Sequence, residues 1–112
     1  MPATPGDLPP ELRDTFWMLR GAYPTGIPKE DYEPLLSLLY EGMSFRTLAT
    51  TLAHCTGKDY LEVLNDAYGA ATPEALSPEG RERLDGVRER LQAQSYDLWL
   101  RNALYDSSGD FR

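Results

Sequence analysis

The sequence predicts an all-α fold, a single compact bundle of five to six short helices with a Pro-rich elbow between the first two. Three observations lead there. Apolar residues recur at helical spacing in segment after segment, and no segment alternates apolar and polar residues between turns as a half-buried strand does. The third is size: 112 residues make room for one core and no more.

Taken in order, residues 1–8 are a proline-rich lead that need not be ordered. Asp7 is placed to cap a first helix over about Pro9 to Arg20, because Pro9 and Pro10 suit a first turn whose amides have no partner anyway. Leu12, Phe16 and Leu19 form its inward stripe with Trp17 beside it, and Gly21 permits the exit. The elbow follows, carried by Tyr23, Pro24, Gly26, Pro28, Asp31, Tyr32 and Pro34. Each proline fixes a backbone angle, removes an amide donor and biases the residue before it away from helix, while Gly26 allows a sharp turn. A second helix is expected from Pro34 to Glu41, with Gly42 as a left-handed stop. Leu35, Leu36, Leu38 and Leu39 are too short a run to cross a membrane and so read as core.

Ser44 caps a third helix to about His54, with Phe45, Leu48, Ala49 and Leu52 facing inward and Thr50 and Thr51 outward. Thr56, with Asp59 three residues on, reads as a capping box for a fourth helix that carries Tyr60, Leu61, Leu64 and Tyr68 and ends at Gly69. After a linker over 70–76, Ser77-Pro78-Glu79 supplies a cap, a first-turn proline and an acid at the positive helix pole. The fifth helix turns Leu84, Val87 and Leu91 inward. It leaves Arg81, Glu82, Arg83, Asp85, Arg88, Glu89 and Arg90 as a mixed-sign exposed face. Gly80 and Gly86 weaken it by about 1 kcal/mol each relative to Ala. Asp97 starts a short sixth helix, so the helical domain spans 9–105 and residues 106–112 form a loose tail.

Composition narrows the function classes. The net charge is −7 and the excess of acids is spread along the chain, with no cluster of Lys and Arg to hold a phosphate backbone. Nucleic acid and membrane are therefore disfavoured as partners. One Cys cannot form an internal disulfide, and the N-terminus has neither the basic start nor the apolar stretch of an export signal, so a cytoplasmic protein is expected.

The string Tyr23-Pro24-Thr25-Gly26-Ile27-Pro28-Lys29-Glu30-Asp31-Tyr32-Glu33-Pro34-Leu35-Leu36, with Trp17, Leu19 and Arg20 before it and Leu38 and Leu39 after it, resembles the opening signature of the bacterial family catalogued as domain of unknown function 3349. Similarity continues more loosely to Leu91. The resemblance implies a small all-helical bacterial protein of the cytosol and brings no activity, cofactor or catalytic residue with it. Two departures stand out. An extra residue within Gly21-Ala22 separates Trp17 and Arg20 from Tyr23, and the extension after Tyr96, with Trp99 and Tyr105, lies outside the pattern.

Chemistry-bearing constellations are sparse. His54 and Cys55 are each the only one of their type, but helix neighbours point about 100° apart, which suits no catalytic dyad, and two ligands fall short of a zinc site. Glu30, Asp31 and Glu33 precede a helix and read as caps and dipole partners. No cofactor is expected. Residues 44–68 match a helix-turn-helix in length and in their Gly-bearing turn, but the second helix offers Asp59, Glu62 and Asp66 against Lys58 alone. Seven Tyr and two Trp are many for this size. Trp17, Tyr96, Trp99 and Tyr105 are hard to house in one small core and are the candidate partner-binding residues, whereas Tyr23, Tyr32 and Tyr60 read as buried rings with wet tips.

The expected function is a non-enzymatic protein-protein interaction module, docking another protein or a second copy as a homodimer. The alternative is a helix-turn-helix DNA-binding regulator. A third reading binds a small molecule under the 23–34 elbow, in a pocket lined by Tyr23, Tyr32 and His54.

Overall fold

Four leucines within little more than one turn, Leu35, Leu36, Leu38 and Leu39, fan over nearly half of a helix's circumference, and each is at most 1% exposed. An apolar face that wide has to be covered by more than one other helix. The computed structural model describes residues 8–109, without the side chains of residue 11 and of 103–109, and it is all-helical over that span. A 3-10 turn, Pro10–Leu12, leads into α1, Arg13–Ala22. The leucine-bearing helix is α2, Lys29–Leu39, buried over its C-terminal half and followed by α3, Phe45–Thr56, and α4, Tyr60–Gly69. A second 3-10 turn, Pro73–Ala75, precedes α5, Pro78–Gln92, and α6, Tyr96–Gly109. Helix α2 packs chiefly on α5, α3 pairs with α4, and α1 and α6 close the remaining sides. The main core runs from Met18 through the α2 leucines to Leu48, Leu52, Val63, Val87 and Leu91, and a smaller cluster joins Leu8, Leu12 and Phe16. No helix among the described residues is long and apolar enough to cross a membrane.

Several local expectations are corrected. Helix α2 starts at Lys29, not at Pro34: Pro28 takes the N-cap position, and Pro34 sits buried inside the helix. Proline and the residue before it resist helix by sterics, and here tertiary anchoring of that turn outweighs the local preference. Tyr32 donates to Asp66 at 2.8 Å, and Glu33 accepts from both the backbone N–H and the hydroxyl of Ser77 at 2.9 Å.

Gly42 is not left-handed. Its missing Cβ instead leaves room for α6, because a methyl there would meet Leu100 and Trp99 at 2.9 Å. The left-handed glycines among the described residues are Gly26 in the elbow and Gly57 closing α3. Asp59, rather than Thr56, caps α4 by accepting from Leu61 N–H. Thr51 is fully buried and donates its hydroxyl to the Thr47 carbonyl, so it does not face out. The α6 backbone stays helical to Gly109, past residue 105 where the loose tail is expected, and Leu8 within the expected lead is buried.

Candidate functional site

The elbow is locked by charge. Tyr23 is 3% exposed and donates to Asp31 Oδ2 at 3.0 Å, while Arg83 reaches in from α5 to bond Asp31 Oδ1 through Nε at 2.6 Å and Nη2 at 2.5 Å. Arg90, two turns further along the same face of α5, donates to the Ala22 carbonyl at 2.6 Å and lies over the Tyr23 ring. An arginine on a helix's last free carbonyls satisfies the C-terminal end of α1. Two of the arginines expected on a merely exposed face therefore cover buried polar groups while keeping part of their length in water. Asp31 is 2% exposed, so it is a buried hub and not a helix cap. Glu33 does cap, but at the start of α5 rather than in its own helix, and Gly80 leaves the space that the carboxylate fills. Burial, reinforced by the Asp31 acceptor, raises the Tyr23 phenol well above its ordinary range.

The four aromatic residues singled out as partner-binding divide. Tyr96 is corrected: it is 1% exposed, its hydroxyl lies 2.9 Å from both the Leu38 carbonyl and Glu41 Oε1, and it closes the core under α6. Trp99 stacks on it at 5.6 Å between ring centroids and donates Nε1–H to Thr15 Oγ1 at 2.7 Å, which ties α6 to α1. Trp17 remains outside, 57% exposed, braced by an edge contact with Phe16. The side chain of Tyr105 lies outside the described residues. Between α1 and α6 runs a groove of about 310 Å³ with Trp17, Met18, Leu98 and Trp99 on its walls. Leu98 is 52% exposed and was not singled out in the sequence, where it is only one apolar residue in a short segment.

A second apolar surface was also missed. Helix α4 buries Val63 and Ala67, which turns Leu61 and Tyr68 outward. Phe45 stacks on Tyr40 at 4.2 Å and meets Tyr68 edge-on at 4.6 Å, so three rings form one contiguous surface cluster. Asp59, the N-cap of α4, and Glu62 in its first turn are exposed, and Lys58 is drawn to Glu62 at 3.5 Å. Such a face offers a polyanion little to hold.

A third concavity, about 360 Å³, lies under the elbow between Ile27, Lys29, Tyr32, Cys55, Thr56 and Lys58. Of the residues expected to line it only Tyr32 does: Tyr23 is turned into the core, and the His54 ring meets Phe16 edge-on at 5.7 Å. Burial pushes the Cys55 thiol up to about 11, with Arg20 opposing the shift, so at neutral pH it is a protonated and poorly nucleophilic wall. Among the described residues no three His, Cys, Asp or Glu side chains gather in a way that could hold a metal ion.

Fold and site together describe an all-helical bundle with a polar internal lock and aromatic outer faces. Compared with known proteins, the chain matches no family model, no curated protein and no solved structure.

Proposed function

We propose that this protein is a non-enzymatic interaction module of the bacterial cytoplasm that docks another polypeptide, in the simplest case a second copy of itself, through the α1–α6 groove. One observation carries the reading: two large apolar side chains, Trp17 and Leu98, stand more than half exposed over a groove whose far wall, Trp99, is held rigid by the Thr15 hydrogen bond. Exposed aromatics on a fixed frame, at a groove poor in charge, are the composition of an interface centre. The Tyr40, Phe45 and Tyr68 cluster adds a second such face on the opposite pairing of helices. The Trp17 to Leu39 resemblance to the domain of unknown function 3349 family belongs to the same proposal and adds no chemistry to it.

Analytical ultracentrifugation over a range of concentrations tests it. Self-association that is weakened at least about tenfold by Trp17→Ala together with Leu98→Ser is expected, in keeping with truncation of central aromatic and aliphatic anchors. A chain that stays monomeric at every concentration, and whose Trp17 fluorescence no added protein changes, would remove the reading.

A further inference from the structure

Helices α5 and α6 are parted by three residues, 93–95, yet the sequence holds neither glycine nor proline between Gly86 and Gly109 to demand a break. Ala93 is still right-handed, and turn hydrogen bonds run on through the N–H groups of Gln94 and Ser95. The reversal falls on Ser95, whose φ of 65° makes it the one non-glycine residue at positive φ among the described residues. Helix ends of that hand ordinarily carry glycine or asparagine, and a serine there costs roughly a factor of ten in an equilibrium constant. With Ser95 right-handed and its turn regular, α5 and α6 would be one helix over 78–109, about 48 Å long by its rise per residue. The body is 39 Å in its longest dimension, so α6 would stand clear of it.

The contacts that hold α6 down lie on its inner side: Tyr96 on the Leu38 carbonyl and Glu41, Trp99 on Thr15, and Leu100 against Gly42. The receiving groups all belong to α1, α2 and the loop after α2, so the α6 of a second copy can meet them equally well. The bend itself is braced from outside, by Gln92 Nε2 donating to Asp97 Oδ1 at 2.9 Å and by Gln94 lying on Gly21, and these three side chains are exposed. We infer that two copies of this chain exchange α6: each straightens at Ser95, and the Tyr96 and Trp99 of one fill the core of the other. Packing between the chains then repeats the packing lost within them, which leaves the hinge to decide, and a short hinge under strain favours exchange. This goes beyond docking at the groove, because the partner copy supplies core residues that a chain with α6 withdrawn lacks.

Full chains labelled with heavy nitrogen and full chains labelled with heavy carbon, unfolded and refolded together at high concentration and then resolved by gel filtration, test it. A dimer is expected in which isotope-filtered NOEs join the Trp99 indole N–H of one chain to Thr15 of the other. Ser95→Gly lifts the cost of the bend in both chains and should weaken that dimer by at least about tenfold. Ser95→Ile puts a β-branched residue where the left-handed region all but forbids one, and should strengthen it by at least about tenfold. Circular dichroism verifies that both variants fold, and the unsubstituted chain against Ser95→Gly decides the matter alone if Ser95→Ile does not. A dimer whose Trp99 to Thr15 NOEs all lie within single chains would overturn the inference and leave docking at the groove in place. So would a monomer at every concentration, or a Ser95→Gly dimer as tight as that of the unsubstituted chain.

Discussion

The α2–α5 seam and the α1–α6 groove put polar and apolar residues in opposite places. In the seam a carboxylate, Asp31, is buried with a phenol and a guanidinium closing round it, and Glu33 fixes the start of the facing helix. In the groove two large apolar side chains face water, and the polar contact, Trp99 to Thr15, serves to hold a wall in place. The seam therefore spends its polar groups on geometry, because an unmet buried carboxylate or phenol costs more than its bond returns. The groove leaves apolar area uncovered, which is unfavourable for an isolated chain and useful only when something else covers it.

The contrast can be broken most sharply from the seam side. Arg83→Met should cost about 2–3 kcal/mol in urea unfolding, below the figure for a fully enclosed pair because the guanidinium is half in water. A loss under about 0.5 kcal/mol would reduce the pair to an ordinary surface contact. Alkaline pH acts on the same groups. Burial raises the Tyr23 and Tyr96 phenols above their ordinary value of 10.0, with hydrogen bonds to Asp31 and Glu41 adding to it. The folded state then keeps protons that the unfolded chain releases, so stability is intact below pH 10 and falls as pH rises beyond it. About 1 kcal/mol per buried tyrosine should be lost for each pH unit, and Tyr23→Phe with Tyr96→Phe should flatten that slope in thermal melts taken between neutral and alkaline buffer.

Smaller effects sharpen the other side. Gly42→Ala should cost about 1–2 kcal/mol and shift tryptophan fluorescence, because its methyl pushes on Trp99 and Leu100. Unchanged emission would mean that α6 docks without that close approach. Within α5, Gly86→Ala should stabilise by about 0.5–1 kcal/mol, since nothing lies within 4 Å of the added methyl. Gly80→Ala should give no such gain, because Glu33 would have to leave Ser77. Equal gains at both positions, measured by thermal melting, would mean that Glu33 does not hold the start of α5.

How much of this was legible in sequence depends on the range of the physics. Ser44 and Ser77 announce caps within three residues of themselves, and Leu48, Leu52, Val87 and Leu91 announce a buried face by spacing alone, whereas the α4 cap expected at Thr56 falls on Asp59. For α4 spacing was ambiguous: the Leu61, Leu64 and Tyr68 stripe is as periodic as the Val63 and Ala67 stripe, and only the close approach of α3 selects the smaller side chains. The candidate site was legible in part. Trp17 and Trp99 were singled out and lie on one groove, whereas Leu98 carries no one-dimensional mark.

By itself the sequence determined an all-helical chain with a proline-bent elbow and a leucine-rich central helix, because helix spacing, capping and proline geometry act between near neighbours. Only the tertiary structure decided that Tyr96 goes inside while Trp17 stays out, and that Arg83 and Arg90 reach in to buried oxygens. Those outcomes depend on which helix lies opposite, and a side chain's partner across a core is fixed by the packing of whole helices, not by its neighbours in the chain.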